Sequence, residues 1–292
     1  AVRAKAWRAP SGEPDLESFL AGASNGSRDR ITIDDLDVLL LRSDPADDLP
    51  ERPWAQTAGL LFGQRAAERG VVVLNDPVGL SRALTKLYLQ SFPADVRPAT
   101  LVTRDPGAVR DFVEHRGGHA VLKPLQGSKG HGVFLVHPDD EVNLDQMIEA
   151  LTRDGYLIAQ EYVPAAAEGD LRLFLLEGRP LQLDGAYAAF RRVPAPGEAR
   201  ANMRAGATAE AAMIDDRVRR LAARIGPRLA DDGMFLVGLD IAGDQLLEVN
   251  VFSPGGLGSA RRTTGVDFAP GVVAAIERKA HAREARQGRT GD

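Results

Sequence analysis

A chain of 292 residues, 44% hydrophobic and 26% charged, has the composition of an ordinary globular protein and is long enough for two or three domains. Its net charge of -5, with basic residues scattered rather than gathered into a stripe, argues against a nucleic-acid partner. No apolar run approaches membrane-spanning length, the start has no apolar signal core, and the absence of cysteine excludes disulfides, zinc-thiolate sites and cysteine nucleophiles together. A cytoplasmic location is the expectation. Because the chain begins at Ala1 rather than Met, residues upstream are expected to have been trimmed.

In chain order, a short strand-like run with Arg, Lys and Trp opens the sequence. Asp37-Val-Leu-Leu-Leu-Arg42 and Val71-Val-Val-Leu74 have the continuous apolar character of buried parallel strands. An amphipathic helix over 53–69, stopped by Gly70, joins them into one βαβ unit. Asn75-Asp76-Pro77 ends the second strand, and a further helix is expected from Ser81 through Leu84, Leu87 and Tyr88. After a linker over 93–98 come a strand at 99–103, a helix at 106–115, a strand at 120–123, a helix at 143–153 and a strand at 156–161. Strands at 171–176 and 181–188 follow. A loop rich in Ala, Gly, Pro and Arg over 193–208, a helix at 214–229 and a hairpin at 237–250 come next, and the tail after Lys279 reads as a frayed helix end.

Three segments carry chemistry. Lys123-Pro-Leu-Gln-Gly-Ser-Lys-Gly-His-Gly132 runs from a strand into a loop with glycines at 127, 130 and 132, where successive backbone N–H groups can form a nest for phosphate oxygens. The spacing is not the Walker pattern, and glycine hairpins are commonly structural. Lys123 at the strand end, with Lys86 available from an earlier helix, adds two point charges for phosphates, although a lysine on a solvated helix face explains Lys86 equally well. Ile158-Ala-Gln-Glu-Tyr-Val163, then Gly169-Asp-Leu-Arg172, can present edge backbone groups to a flat heterocycle and Asp170 to a sugar hydroxyl, or can simply be strands. In Val237-Gly-Leu-Asp-Ile-Ala-Gly-Asp-Gln-Leu-Leu-Glu-Val-Asn250 two apolar runs flank the turn Gly243-Asp244. Glu248 and Asn250 share one face of the second strand, and Asp240 on its partner reaches the same place. Such a set of oxygen donors suits Mg²⁺. Exposed turn positions are the competing reading, accepted here for Asp244.

In this order these residues resemble the ATP-grasp ligases, specifically the prokaryotic glutathione synthetase family. Val121-Leu-Lys-Pro-Leu-Gln-Gly127, Ala159-Gln-Glu-Tyr-Val-Pro164, Gly169-Asp-Leu-Arg172, Arg192-Val-Pro194, Arg200-Ala-Asn202 and the hairpin continuing to Val251 carry the resemblance, which extends over residues 31–275. Asp37-Val-Leu-Leu-Leu-Arg-Ser-Asp-Pro45 and Val73-Leu-Asn-Asp-Pro77 are similar too. The resemblance implies an α/β protein with α+β subdomains: a Rossmann-like pre-ATP-grasp substrate domain over 1–83, truncated at its start, a small ATP-binding subdomain over 84–165, and a catalytic ATP-grasp subdomain over 166–292. It implies an ADP-forming carboxylate-amine ligase that passes through an acyl phosphate, with γ-glutamylcysteine and glycine as the expected substrates. Partners would then be small-molecule or dipeptide carboxylates and amines, with neither nucleic acid nor membrane, and a homo-oligomer is compatible.

The same resemblance distributes roles. Asp240, Glu248 and Asn250 would hold one or two Mg²⁺, with Mn²⁺ as the substitute, on the β- and γ-phosphates of ATP. Lys86 and Lys123 would pair with the phosphates under a loop containing Gly127, Ser128, Gly130 and Gly132. Glu161, Tyr162 and Val163 would meet the adenine and Asp170 the ribose. Arg172, Arg192, Arg200 and Asn202 would serve the acyl phosphate and substrate carboxylates, with 193–208 as a lid. Two departures bear on the substrate: Phe252 stands where the family typically has Thr, and Gly255-Gly256 follows it. A ligase for another peptide or amino acid, and a non-catalytic ATP-binding protein on the same fold, are the alternatives.

Overall fold

The structure, a computed structural model, describes residues 3–7, 16–25, 28–45, 52–127, 132–153, 155–195 and 206–288. Strands β1 (Arg3–Trp7) and β2 (Arg28–Thr32) pair antiparallel, with α1 (Leu16–Asn25) between them in sequence. The expected βαβ unit follows as β3 (Val38–Leu40), α2 (Ala58–Glu68) and β4 (Val72–Leu74). Its strands are parallel, with Val38 opposite Val72. Ala66, Val71 and Val73 close its small core with Ile33.

The helix expected from Ser81 to Tyr88 is two pieces. Asp76 accepts from the N–H groups of Val78 and Gly79, and Pro77 occupies the first turn, so α3 (Pro77–Arg82) starts earlier than the apolar pattern suggests. Thr85 is extended, and its hydroxyl accepts from Leu87 N–H at 3.3 Å to open a separate 3₁₀ helix, Lys86–Ser91. Lys86 therefore stands at the head of a short helix rather than on the flank of a long one.

Strands β5 (Thr100–Thr103), β6 (Ala120–Pro124), β7 (Phe134–Val136) and β8 (Leu157–Glu161) form an antiparallel sheet in the order β5-β8-β6-β7. Helices α4 (Pro106–Glu114) and α5 (Glu141–Thr152) cover it around Val109, Leu122, Ile148 and Leu157.

The larger sheet has the order β14-β13-β9-β15-β16, from β9 (Asp170–Leu176), β13 (Ala189–Val193), β14 (Thr208–Glu210), β15 (Leu236–Ala242) and β16 (Gln245–Asn250), with β10 (Arg179–Pro180) paired to β9. The strand expected over 181–188 is instead a small hairpin, β11 (Gln182–Leu183) and β12 (Ala186–Tyr187), because Asp184 and Gly185 both take positive φ and turn the chain. The sheet is buried on both faces, which explains the apolar runs in β9 and β15. Leu173, Leu175, Val237 and Leu239 pack with Leu221 and Ile225 of α6 (Asp216–Asp231), and Phe174 and Phe190 pack on the other side with Ala260, Phe268 and Val272. Helix α7 (Leu257–Thr264) supplies Ala260 and α8 (Ala269–Gly288) Val272, with Phe268 just before α8; the two helices were not anticipated, apart from a helix end after Lys279.

Candidate active site

The β15–β16 register places Asp240 opposite Glu248 and Gly238 opposite Asn250, so the three oxygen-donor side chains leave one face of the hairpin. β9 extends that row, since Arg172 pairs with Asp240. Across the next ladder Phe190 lies opposite Arg172 and Arg192 opposite Asp170. Strand order thus aligns Arg192, Asp170, Arg172, Asp240 and Glu248 on one face, although they come from four stretches of sequence.

At its buried end the row is an ion network. Arg172 grips Asp240 with two nitrogens, Nη2 at 2.9 Å and Nε closer still, and donates to the Gly255 carbonyl at 3.0 Å. Arg192 donates to both oxygens of Asp170 at 2.6 Å and reaches Asp240 Oδ2 at 2.7 Å. Burial opposes the charge of Asp240, but the two guanidiniums hold its pKa below the usual carboxylate value. Burial pushes Asp170 up to about 6, with Arg192 pulling against it. Asn250 Nδ2 donates to Asp240 Oδ2 and to the Gly238 carbonyl, each at 3.3 Å, which leaves its Oδ1 as the oxygen of the type a hard cation takes.

At its open end the row meets a cleft of about 910 Å³, mouth included, between β16, the head of the 3₁₀ helix and the β6–β8 edge. Lys86, Lys123, Gly127, Glu248 and Asn250 all line it. Lys123 Nζ donates to Gln160 Oε1 at 2.8 Å, and burial lowers its pKa to about 8, with nearby Glu248 raising it and Lys86 lowering it. Lys86 Nζ donates to the Gly127 carbonyl and lies 3.8 Å from Glu248 Oε1. Glu248 remains 45% exposed, so its charge faces the cleft rather than the core. Gly127 and Gly132 both have positive φ.

Several expected site residues stand elsewhere. Both Asp170 oxygens are held by Arg192, so its carboxylate faces the arginine pair and not the cleft. Arg192, expected to serve the acyl phosphate and substrate carboxylates, lies in β13 with two carboxylate partners. The apolar residues Ala189 and Phe190 beside it are core, and this anchors the strand that ends as the expected loop begins. Glu161 and Tyr162 line a second opening with His115, Arg116 and His119. Glu161 exchanges bonds with Ala99, and Tyr162 stacks on His119 at 6.0 Å. Val163 follows them and caps a 3₁₀ turn. Ser128, Gly130, Arg200 and Asn202 lie outside the described residues, as does most of 193–208.

Among the cleft residues that received no role from the sequence are Gln160 and Asp44. Gln160 orients Lys123; the register puts it opposite Val121, hence on the Lys123 face, which only strand pairing reveals. Asp44 lines the cleft just past β3, and the signal available was a carboxylate at the carboxyl end of a parallel strand, where α/β sheets bind ligands.

A divalent cation fits the donor set: Glu248 and Asn250 open on the cleft, and Mg²⁺ needs only one or two carboxylates when phosphate and water complete its shell. Among the described residues no three His, Asp or Glu side chains gather into a metal site, so the candidate set is two carboxylates and an amide, with Asp240 committed to its arginines.

The comparisons with known proteins agree with the geometry. In fold the chain resembles D-cycloserine synthetase DcsG, with a TM-score of 0.56, 20% identity and 79% of this chain matched to 84% of that one. It also resembles the ATP-grasp ligase PsnB, solved with a minimal precursor, with a TM-score of 0.56, 25% identity and coverage of 82% and 78%. Fold and sequence define an ATP-grasp protein, an ATP-dependent ligase. The sequence profile described as prokaryotic glutathione synthetase, ATP-grasp domain, matches residues 85–265. The glutathione synthetase of Pseudomonas syringae pv. tomato is 37% identical over 254 residues, covering 86% of this chain and 76% of its own. That of Mesorhizobium japonicum is 36% identical over 258 residues, covering 88% and 78%. The chain belongs to the prokaryotic glutathione synthetase family.

Proposed function

We propose that the cleft binds ATP with Mg²⁺ and joins a carboxylate to an amine, with γ-glutamylcysteine and glycine the first pair to test. The observation that carries this is the gathering of two lysines, a half-exposed glutamate and an asparagine around one cleft between two sheets. Lys86 and Lys123 bind the phosphates, beneath the loop of Gly127, Ser128, Gly130 and Gly132. Glu248 and Asn250 hold the metal, and Asp240 contributes if it exchanges a guanidinium for the ion. When bound, the metal neutralises charge as the phosphoryl group moves to the carboxylate. The adenine would reach past Gln160 to backbone groups of Glu161, Tyr162 and Val163, which lie beyond the lining of the cleft.

Arg172 and Arg192, with Asp170, hold Asp240 in place, and Arg200 and Asn202 serve the substrate carboxylates. The division into 1–83, 84–165 and 166–292 follows the substrate, ATP-binding and catalytic parts. Because the reaction draws on ATP, we place the protein in the cytoplasm. The test is ADP release over a panel of carboxylates and amines with Mg²⁺ and then Mn²⁺. ADP should form only with a carboxylate present, and should be accompanied by an amide when the matching amine is added. ATP binding with no ADP across the whole panel would favour a binding protein instead.

A further inference from the structure

Behind Lys123 runs a chain of hydrogen bonds with a fixed direction. Lys123 Nζ donates to Gln160 Oε1 at 2.8 Å, Gln160 Nε2 donates to Thr100 Oγ1 at 3.3 Å, and Thr100 Oγ1 donates to the Pro98 carbonyl at 2.9 Å. Three adjacent strands carry it. Thr100 on β5 lies directly opposite Gln160 on β8, and Lys123 on β6 is the diagonal neighbour, its own partner being Ile158. The Glu161 N–H donates to the Ala99 carbonyl at 2.8 Å and the Ala99 N–H to the Glu161 carboxylate at 3.1 Å, which holds β5 against β8 at this point. Thr100, Gln160 and Lys123 all line the cleft, and Gln160 is only 4% exposed, so its amide depends on these neighbours.

The polarity of the chain follows from what each group can give. An ammonium only donates, so an amide beside it must present its oxygen. Thr100 has one hydroxyl proton, and the Pro98 carbonyl takes it. What remains at Oγ1 is an acceptor, which suits the amide nitrogen and turns away the amide oxygen. Both ends therefore select the same orientation of Gln160. The neutrality of the link matters as well: an amide oxygen holds the ammonium in place and leaves its charge for an anion, whereas a carboxylate there would neutralise it. Glu248 and Lys86 act on Lys123 by charge, so the direction of Nζ is left to Gln160.

We infer that Thr100 is a positioning residue for nucleotide binding: its hydroxyl fixes the amide of Gln160, which aims Lys123 at the phosphates without neutralising it. This inference rests on the reading of Lys123 as a phosphate-binding group and adds to it the residue on β5 that sets its aim.

The experiment measures the affinity for ATP with Mg²⁺ by calorimetry in Thr100→Val, Thr100→Ser, Lys123→Met and the double variant of Thr100→Val with Lys123→Met. Valine keeps the shape and the strand preference of threonine and removes the hydroxyl. Thr100→Val should weaken binding about fivefold, the scale of one lost hydrogen bond, and Thr100→Ser, which keeps the hydroxyl, should restore it to within about twofold. Lys123→Met should weaken binding by about tenfold or more, and in that background Thr100→Val should add less than about twofold, because its effect passes through the lysine. Thr100→Val binding as wild type overturns the inference. Equal losses from Thr100→Val with and without Lys123, or a loss in Thr100→Ser as large as in Thr100→Val, assign Thr100 to packing alone and also overturn it. Should Thr100→Val fail to fold, Gln160→Glu carries the test: a carboxylate has no N–H for Thr100 and neutralises Lys123, so affinity should fall by about tenfold or more, and wild-type affinity overturns the inference. Unaltered affinity in Lys123→Met is a different failure, since it removes the lysine from the phosphates and takes the inference down with that reading.

Discussion

Glu248 is the residue on which the proposed chemistry depends most directly, because it is the carboxylate of the row whose charge reaches the cleft. Glu248→Gln keeps its size and removes the charge. Metal-dependent ATP turnover should fall more than tenfold, a loss of about 1.4 kcal/mol or more of transition-state stabilisation. Unaltered turnover at saturating metal would remove Glu248 from the metal site. Lys123 gives a pH signature. Below about pH 8 it is charged in folded and unfolded chains alike, and burying that charge costs stability. Between about 8 and the ordinary 10.5 the folded protein has released the proton that the unfolded chain retains, so this cost fades as pH rises. Denaturant unfolding should therefore show wild type gaining on Lys123→Met across that window. Bound phosphates act in the opposite sense by favouring the charged lysine. Nucleotide binding near pH 8 should take up a proton, detectable as a dependence of calorimetric binding enthalpy on buffer, and Lys123→Met should abolish it.

The elements matter because they bring distant charges into register. Arg172 and Asp240 are cross-strand neighbours on β9 and β15, and Arg192 and Asp170 on β13 and β9. Removing one member of such a buried network strands the others, which is why the ladder itself must hold. Gly169 leads into β9 at φ +106, and a Cβ there would stand 2.0 Å from the Arg192 carbonyl. Gly169→Ala should destabilise the protein by roughly 1–3 kcal/mol from backbone strain alone, and more from the displaced β13. Gly59→Ala serves as the contrast: its Cβ meets nothing, and it should be neutral or stabilising by up to about 1 kcal/mol. Urea midpoints of the two variants should move in opposite directions; equal shifts would contradict the packing described for Gly169.

At the scale of the whole molecule, the βαβ unit is tied to the large sheet by one buried amide. Asn75 Nδ2 donates to the carbonyls of Val251 at 2.6 Å and Leu236 at 3.2 Å, and Oδ1 accepts from Phe235 and Leu236 N–H at 2.7 and 2.9 Å. All four bonds join the end of β4 to the start of β15 and the residue that follows β16, and α3 is capped by the next residue. Asn75→Ala leaves buried backbone groups without partners and should cost about 3 kcal/mol or more. Asn75→Asp should not restore it, since a carboxylate has no donor for the two carbonyls. Thermal unfolding of both variants checks this, and a wild-type melting temperature in either would show that the amide is not the tie. No described helix is long and apolar enough to cross a membrane.

What the sequence determined by itself is what short-range periodicity encodes. The two-residue alternation around Gly243-Asp244 placed Asp240, Glu248 and Asn250 on one face, and a lysine at a strand end before a glycine loop placed Lys123 at the cleft. Local capping by Asp76 and the Asp184-Gly185 turn were equally present in the sequence, but a continuous apolar pattern concealed them. The tertiary structure alone decided which charges neutralise one another. Arg172 and Asp240 are 68 residues apart and Arg192 and Asp170 are 22 apart, and they meet because β9 lies between β13 and β15. Strand order depends on how whole faces bury against α6 and α8, a property of the assembled core that no single segment carries.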